Sequence, residues 1–190
     1  SLEGVVKQAI KCMEKDYDFI LVNFANPDEV GHTGNYPATI NGLQAIDVCL
    51  GKILEIAEET GMATGLVATV RITHATPAAF YAHQINRGMY EEIATEMLTS
   101  GVDFFVGGGR NNFEVRKDSF NYSDSLRSAN YDIVYSIDSI EAPVLLPFGA
   151  LCADGDMPKA SERGDFLPRA VDLAIKSLDA RSEGFFLMVE

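Results

Sequence analysis

Basic residues are scarce in this sequence, and no long apolar run occurs in it. The chain has 15 Lys and Arg against 28 Asp and Glu, which gives a formal net charge of −13. Because such a surface repels the phosphates of nucleic acids and anionic lipids, we expect neither as a partner. No apolar run approaches the roughly 18–20 residues that cross a membrane, so no membrane span is expected.

Cysteines are also few, and the three present (Cys12, Cys49 and Cys152) are far apart. The odd count and wide spacing match no paired zinc-binding pattern, so we expect three buried or half-buried thiols, with one disulfide among them as the alternative. The first residues show no basic segment followed by an apolar stretch and a small-residue cleavage site. No signal peptide is therefore predicted.

What the sequence does contain is an alternation of helical and strand patterns over 190 residues, 47% of them hydrophobic. Apolar periodicity predicts helices over 2–15, 38–60, from near 77, 90–99 and 168–178. Short apolar runs predict strands over 18–24, 65–70, 102–106, 132–136, 144–146 and 185–189. Helices between strands are typical of an α/β fold with a mostly parallel sheet.

Two αβ units of the chain share one pattern. Leu2–Phe24 and Pro168–Glu190 each run as a helix, a short charged turn and an apolar strand. The strand endings Phe-Ile-Leu-Val-Asn and Phe-Leu-Met-Val-Glu align, which places Asn23 opposite Glu190. The alternative is a chance likeness between two αβ units.

A first candidate site follows the predicted strand 18–24. Asp28 and His32 stand in a loop there, and ligands of α/β sheets bind where strands end. A carboxylate and an imidazole suit Zn²⁺ or Mn²⁺. The alternative is an ordinary solvated loop.

A second candidate site follows the strand 65–70, where His74 and Thr76 precede a helix. The start of a helix suits a phosphate group, although Thr76 could simply cap that helix. The planar guanidinium of Arg87 suits the paired oxygens of a phosphate, with a surface ion pair as the alternative. The Gly107–Gly109 run is expected to be a tight loop, and it lacks the Lys-Ser/Thr continuation of a P-loop.

A third candidate is Glu190, a carboxylate that follows the last apolar strand. A carboxylate in this place is a reasonable Mg²⁺ ligand. The alternative is a charged residue with no ligand.

Several segments after residue 61 share the pattern of one family: Thr64–Thr69, Ile72–Ala78, Ser100–Gly109, Ala153–Pro158 and Gly184–Glu190. Residues 62–190 resemble the alkaline phosphatase family. The resemblance implies a metal-dependent phosphomonoester hydrolase that uses Zn²⁺ and Mg²⁺ and acts on a phosphorylated small molecule. It also implies that Thr76 and Glu190 are Mg²⁺ ligands, that His74 lies beside this metal, and that Arg87 binds the substrate phosphate.

Residues 1–61 carry a different pattern, centred on Asp18–Gly34 and continued by Ala45–Asp47 and Leu50–Lys52. This stretch is similar to cofactor-independent phosphoglycerate mutase, which implies that Asp28 and His32 bind one Mn²⁺. Both families belong to the alkaline phosphatase superfamily. We therefore predict a mutase-like αβα segment over 1–61 and a phosphatase-like segment over 62–190, packed as one domain.

The sequence also departs from the superfamily pattern, because it holds no Asp-Ser-Ala-like stretch for a nucleophile and no Ala-Asp-His segment. The site is predicted to be incomplete, with the nucleophile unassigned and the order of segments permuted or composite. The alternatives are a phosphoglycerate mutase and a non-catalytic binding module of the same fold. A phosphatase is expected in the periplasm or outside the cell and a mutase in the cytoplasm, and a homodimer is allowed in either case.

Overall fold

A computed structural model describes residues 2–13, 15, 20, 22, 30 and 32–190 of the chain. Its helices are α1 (Leu2–Met13), α2 (Tyr36–Glu59), α3 (Ala75–Tyr81), α4 (Tyr90–Glu96), α5 (Arg110–Glu114), α6 (Tyr122–Ser128) and α7 (Phe166–Leu178). Its strands are β1 (Ala63–Arg71), β2 (Phe104–Gly108), β3 (Asp132–Val134), β4 (Phe148–Leu151) and β5 (Phe185–Val189). A short 3₁₀ turn, Met97–Thr99, extends α4.

The five strands form one sheet in the order β3-β4-β2-β1-β5, and every neighbouring pair is parallel. Gly65 of β1 lies in register with Phe104 on one side and Leu187 on the other. The carboxyl ends of all five strands therefore face the same edge. The prediction of an α/β fold with a parallel sheet and flanking helices is confirmed.

Each face of the sheet buries its own core. In β2, Phe105 belongs to one core, together with Leu54 of α2, while Phe104 belongs to the other, together with Leu173 of α7. Side chains alternate between the faces of a strand, so a run of consecutive apolar residues serves both cores. Residue Val106 completes this fully buried run.

Helix α2 is defined at both ends by local capping. The Asn35 side chain accepts a hydrogen bond from the Ala38 N–H at 3.2 Å, and this cap starts the helix two residues before the predicted position. At the other end, Gly61 takes a positive φ of 81°. Its N–H donates to Glu58 O at 3.0 Å, and the Met62 N–H donates to Ala57 O at 2.9 Å. This pattern is a Schellman motif, in which Gly61 ends the helix.

The three cysteines are free thiols, with Cys49 buried and the other two half-buried, as expected. Cys49 packs with Val6 and Ile53 in a small cluster that joins α1 to α2, and Phe186 of β5 covers it. No helix within the described residues is long and apolar enough to cross a membrane.

One predicted strand does not form. The run 144–146 is not a strand, because Pro143 and Pro147 flank it and a proline has no N–H for a strand ladder; β4 begins after them, at Phe148. The polar stretch after β2 contains the two short helices α5 and α6. The predicted strand 18–24 lies, apart from residues 20 and 22, outside the described residues.

Candidate active site

The candidate site lies at the carboxyl edge of β1 and β5, which are neighbours in the sheet. Glu190 continues the pairing of β5: its N–H donates to Val67 O at 2.9 Å, and its carbonyl accepts from the Thr69 N–H at 3.0 Å. The segment after Arg71 leaves β1 beside it. Because parallel strands end at a common edge, Glu190 and the residues that enter α3 come together.

The turn from β1 into α3 presents His74 and Thr76. The His74 N–H donates to Arg71 O at 2.8 Å, and His74 occupies the N-cap position of α3 without a capping bond from its side chain. Thr76 is the second residue of the helix. The helix begins at Ala75, two residues before Pro77, which confirms the prediction of a helix from near Pro77. The alternative in which Thr76 caps the helix is wrong, because His74 occupies the N-cap position. Pro77 stands third in the first turn, where its missing N–H costs no helical hydrogen bond.

The imidazole of His74 lies between a cation and a carboxylate. Its Nε2 is 3.0 Å from Arg87 Nη2, and its Nδ1 is 3.9 Å from Glu190 Oε1. A guanidinium can only donate, so Nε2 must accept, and the imidazole proton belongs on Nδ1. The ring therefore points an N–H toward Glu190 across a gap that is too long for a direct hydrogen bond.

Two polar atoms at this gap are buried without a hydrogen-bond partner among the described residues: His74 Nδ1 and Glu190 Oε2. An unsatisfied buried polar group costs about 1–3 kcal/mol, so a bound ion or polar ligand between these two atoms would remove an unfavourable term. Mg²⁺ prefers oxygen ligands and keeps several of its own waters. The unpaired carboxylate oxygen of Glu190 suits such an ion, and the His74 N–H suits a position beside it.

The described residues do not supply a zinc site. Within 2–13 and 32–190 there is no group of three or more His, Cys, Asp and Glu side chains that could hold a metal ion. Zn²⁺ in proteins usually takes three or four such ligands. His32 is exposed, and Asp28 lies outside the described part of the chain. The proposed Asp28–His32 metal pair therefore stays a prediction.

Arg87 lies in the segment that connects α3 to α4. A groove of about 180 Å³ borders it and is lined by Ala75, Ala78, Ala79, Ala82, Gln84 and Ile93. The side chain of His83, in the same segment, is 77% exposed. Of the six predicted site residues, the structure brings His74, Arg87 and Glu190 together directly.

One ion pair beside this turn was missed by sequence reasoning. The Asp156 carboxylate accepts hydrogen bonds from the Arg71 N–H at 3.0 Å, from Arg71 Nε at 2.8 Å and from Arg71 Nη2 at 3.0 Å. These bonds lower the pKa of Asp156 to about 2. The guanidinium also lies 4.6 Å from the ring centre of Tyr90. Asp156 thus fixes the residue from which the His74 turn departs.

Glycines let the loop that carries Asp156 approach the sheet. Gly107 and Gly108 end β2, so the prediction of a three-glycine loop is wrong for these two. A Cβ on Gly108 would overlap the carbonyl oxygen of Gly155, and the Gly109 N–H donates to that same oxygen at 2.7 Å. Arg71 and Asp156 are 85 positions apart, so no local spacing predicts their ion pair. The only sequence signal for it was the family-like segment 153–158.

A parallel sheet that gathers a guanidinium, an imidazole and a carboxylate at its carboxyl edge defines an α/β protein with a polar ligand site at that edge. The alkaline phosphatase family model matches residues 36–190. The chain belongs to the alkaline phosphatase family.

Individual relatives agree with this assignment. Alkaline phosphatase 3 of Bacillus subtilis is 40% identical over 151 residues, which cover 73% of this chain and 31% of that protein. The solved alkaline phosphatase of the Antarctic bacterium TAB5 is 44% identical, with a TM-score of 0.67, over 73% of this chain and 41% of that one. A variant of the TAB5 enzyme with Mg bound in its M3 site matches equally well. The chain spans about a third of the length of the curated phosphatases that it matches.

A shorter stretch matches another enzyme. The 2,3-bisphosphoglycerate-independent phosphoglycerate mutase of Helicobacter pylori is 49% identical over 59 residues, which are 31% of this chain and 12% of that protein. Both resemblances drawn from the sequence are thereby confirmed.

Proposed function

We propose that the described residues form the Mg²⁺- and phosphate-binding part of a phosphomonoester hydrolase site. The observation that carries the proposal is the placement of His74 between Arg87 and Glu190 at the carboxyl edge of the sheet. The family supports a phosphatase-type function. The substrate class we propose is a small phosphorylated alcohol.

Each residue has a role that follows from its chemistry. The planar fork of Arg87 suits two oxygens of a phosphate, and its bond to His74 Nε2 fixes the direction in which it points. Glu190 and Thr76 would hold Mg²⁺. When bound, the ion neutralises phosphate charge and orients the ester. His74 keeps its proton on Nδ1, facing that carboxylate.

Hydrolysis by this 190-residue chain is proposed to be slow. The sequence shows no Ser or Thr nucleophile motif, and loss of a nucleophile costs several orders of magnitude in rate. With Zn²⁺ and Mg²⁺ added, we expect only residual turnover of p-nitrophenyl phosphate. A rate like that of an intact phosphatase would contradict this part of the proposal.

Binding of inorganic phosphate tests the site itself. In the presence of Mg²⁺, calorimetry should show binding to the wild-type chain, and Arg87→Ala should weaken it by about tenfold or more, since hydrogen bonds to charged groups contribute about 1.5–3 kcal/mol. Arg181→Ala is the matched control, because Arg181 is exposed and pairs with Asp103 at the opposite edge of the sheet. Equal affinities for the two variants would contradict the proposal, and no binding at all would favour a non-catalytic module.

The mutase-like stretch favours a second candidate, a Mn²⁺ site formed by Asp28 and His32. Titration with Mn²⁺, followed by electron paramagnetic resonance, should show a bound ion that His32→Ala removes. The same spectrum for both proteins would overturn this candidate.

A further inference from the structure

The segment 82–89, which carries Arg87 between α3 and α4, is irregular, and each of its halves has its own hydrogen bonds. At its second half, the Asn86 side chain accepts from the Gly88 N–H at 2.8 Å, and the Asn86 carbonyl accepts from the Met89 N–H at 3.0 Å. These bonds shape the turn around Arg87. They do not tie it to the rest of the molecule, because all of them lie within the segment.

The first half is tied to α4 by one carboxylate. Glu96 Oε2 accepts from the His83 N–H at 2.8 Å and lies 3.2 Å from His83 Nδ1, while Oε1 accepts from Gln84 Nε2 at 2.6 Å. The side chain of Glu96 is 23% exposed. Hydrogen bonds to an ionised carboxylate are roughly twice as strong as those between neutral groups. Glu96 therefore holds two successive residues of the segment at once.

Glu96 is itself a firm anchor. It is the last residue of α4, whose Ile93 and Ala94 are only 2% and 1% exposed and belong to the same core as Met97 directly after it. A side chain mounted on an element packed in this way moves little. Glu96 thus ties the segment to the core at Gln84, only three residues before Arg87.

We propose that Glu96 is a positioning residue for Arg87, so that loss of its charge loosens the guanidinium that binds phosphate. This inference rests on the proposed function, because it assumes that Arg87 contacts the phosphate. The conservative change Glu96→Gln keeps the size of the side chain. It replaces one acceptor oxygen by an N–H₂ group, which opposes the His83 N–H if it faces that donor and requires the Gln84 amide to turn over if it faces Gln84. In either case the hydrogen bonds to a carboxylate become weaker bonds to a neutral amide.

A double-mutant cycle on phosphate affinity tests the inference. With Mg²⁺ present, we expect Glu96→Gln to weaken binding of inorganic phosphate by about fivefold, within the range that coupled neighbours show. In the Arg87→Ala background the same change should alter affinity by less than about twofold. Glu92→Gln is the matched control, since Glu92 is an exposed carboxylate on the same helix, and it should leave affinity unchanged.

The outcomes separate the two claims. If Arg87→Ala weakens binding but Glu96→Gln does not, or if Glu96→Gln acts equally in both backgrounds, the positioning role is wrong while the proposed function stands. If the wild-type chain binds no phosphate, the proposed function fails. The positioning role is then decided by the NMR signal of the Arg87 Nε–H, which should shift in Glu96→Gln and not in Glu92→Gln. An unchanged signal in Glu96→Gln overturns it.

Discussion

At the scale of single residues, the ionised carboxylate of Asp156 holds Arg71, the residue from which the turn to His74 departs. The pKa of Asp156 falls from 3.8 to about 2 in the folded chain, mainly through the hydrogen bonds from the Arg71 side chain. A lowered folded pKa gives stabilisation that is present above 3.8 and is lost as the pH falls toward 2. The ion pair should therefore stabilise the chain at neutral pH and not in strong acid.

Urea unfolding of Asp156→Asn checks this expectation. The variant should be less stable than the wild type at pH 7, and the difference should shrink between pH 3.8 and about 2. Asp132→Asn, at an exposed carboxylate that opens β3, controls for the loss of one surface charge. A stability difference at pH 2 as large as that at pH 7 would contradict the account.

The pKa of Glu58 is shifted in the opposite direction from that of Asp156. Partial burial raises the pKa of its carboxyl, against the hydrogen bond that Thr64 Oγ1 donates at 3.2 Å, and the nearby charge of Asp103 raises it further. A raised pKa means that this group contributes stability below its ordinary value of 4.5, and that the contribution is lost as the pH rises through the folded pKa. At neutral pH the ionised Glu58 is a cost.

Glu58→Gln should therefore raise the urea midpoint at pH 7, since the amide resembles the protonated acid. The gain should narrow as the pH is lowered toward 4.5. Glu59→Gln, at the exposed neighbouring position, should leave the midpoint nearly unchanged. A Glu58→Gln chain that is less stable than the wild type at pH 7 would refute the argument.

The sequence predicts residue types at the site better than it predicts their partners. His74, Arg87 and Glu190 were singled out by their place after strands and by family likeness, and the structure puts them side by side. The tautomer of His74 and the pairing of Arg71 with Asp156 could not be predicted. Both depend on side chains that are distant in sequence, and no local spacing encodes them.

At the scale of elements, the approach of the 153–156 loop to β2 depends on Gly108. We expect Gly108→Ala to destabilise the chain by about 2–3 kcal/mol, because its Cβ would meet the backbone carbonyl of Gly155, which cannot rotate away. Gly155→Ala is the control, since a Cβ there meets nothing within 4 Å. Thermal unfolding should show a large loss for the first variant and a small change for the second. Equal losses would contradict this contact.

The main elements were predictable because their patterns are strong. The long apolar periodicity of α2 and the short apolar runs within β1, β2 and β5 need only local rules. The errors fall where a local pattern is weak or overruled, as at 144–146 between two prolines. Gly107 and Gly108 look like a loop in the sequence, yet they end a buried strand because another backbone packs against them.

At the scale of the whole molecule, the net charge of −13 opposes any phosphate that approaches. Among the described residues, the guanidinium of Arg87 contacts the imidazole of His74, and this imidazole faces the carboxylate of Glu190. We therefore expect a bound cation to carry much of the attraction, in the way that metal ions reverse the local field of acidic sites. Phosphate and Mg²⁺ should then strengthen each other's binding, because such coupling is reciprocal.

The proposal that Glu190 holds Mg²⁺ beside a bound phosphate is tested most directly by the affinity of the chain for inorganic phosphate. This affinity is measured with and without Mg²⁺, in the wild type and in Glu190→Gln. The account predicts that Mg²⁺ strengthens phosphate binding to the wild type by about tenfold, a coupling of ordinary size, and that Glu190→Gln removes this enhancement. Phosphate binding that ignores Mg²⁺, or an enhancement that survives in Glu190→Gln, would contradict it.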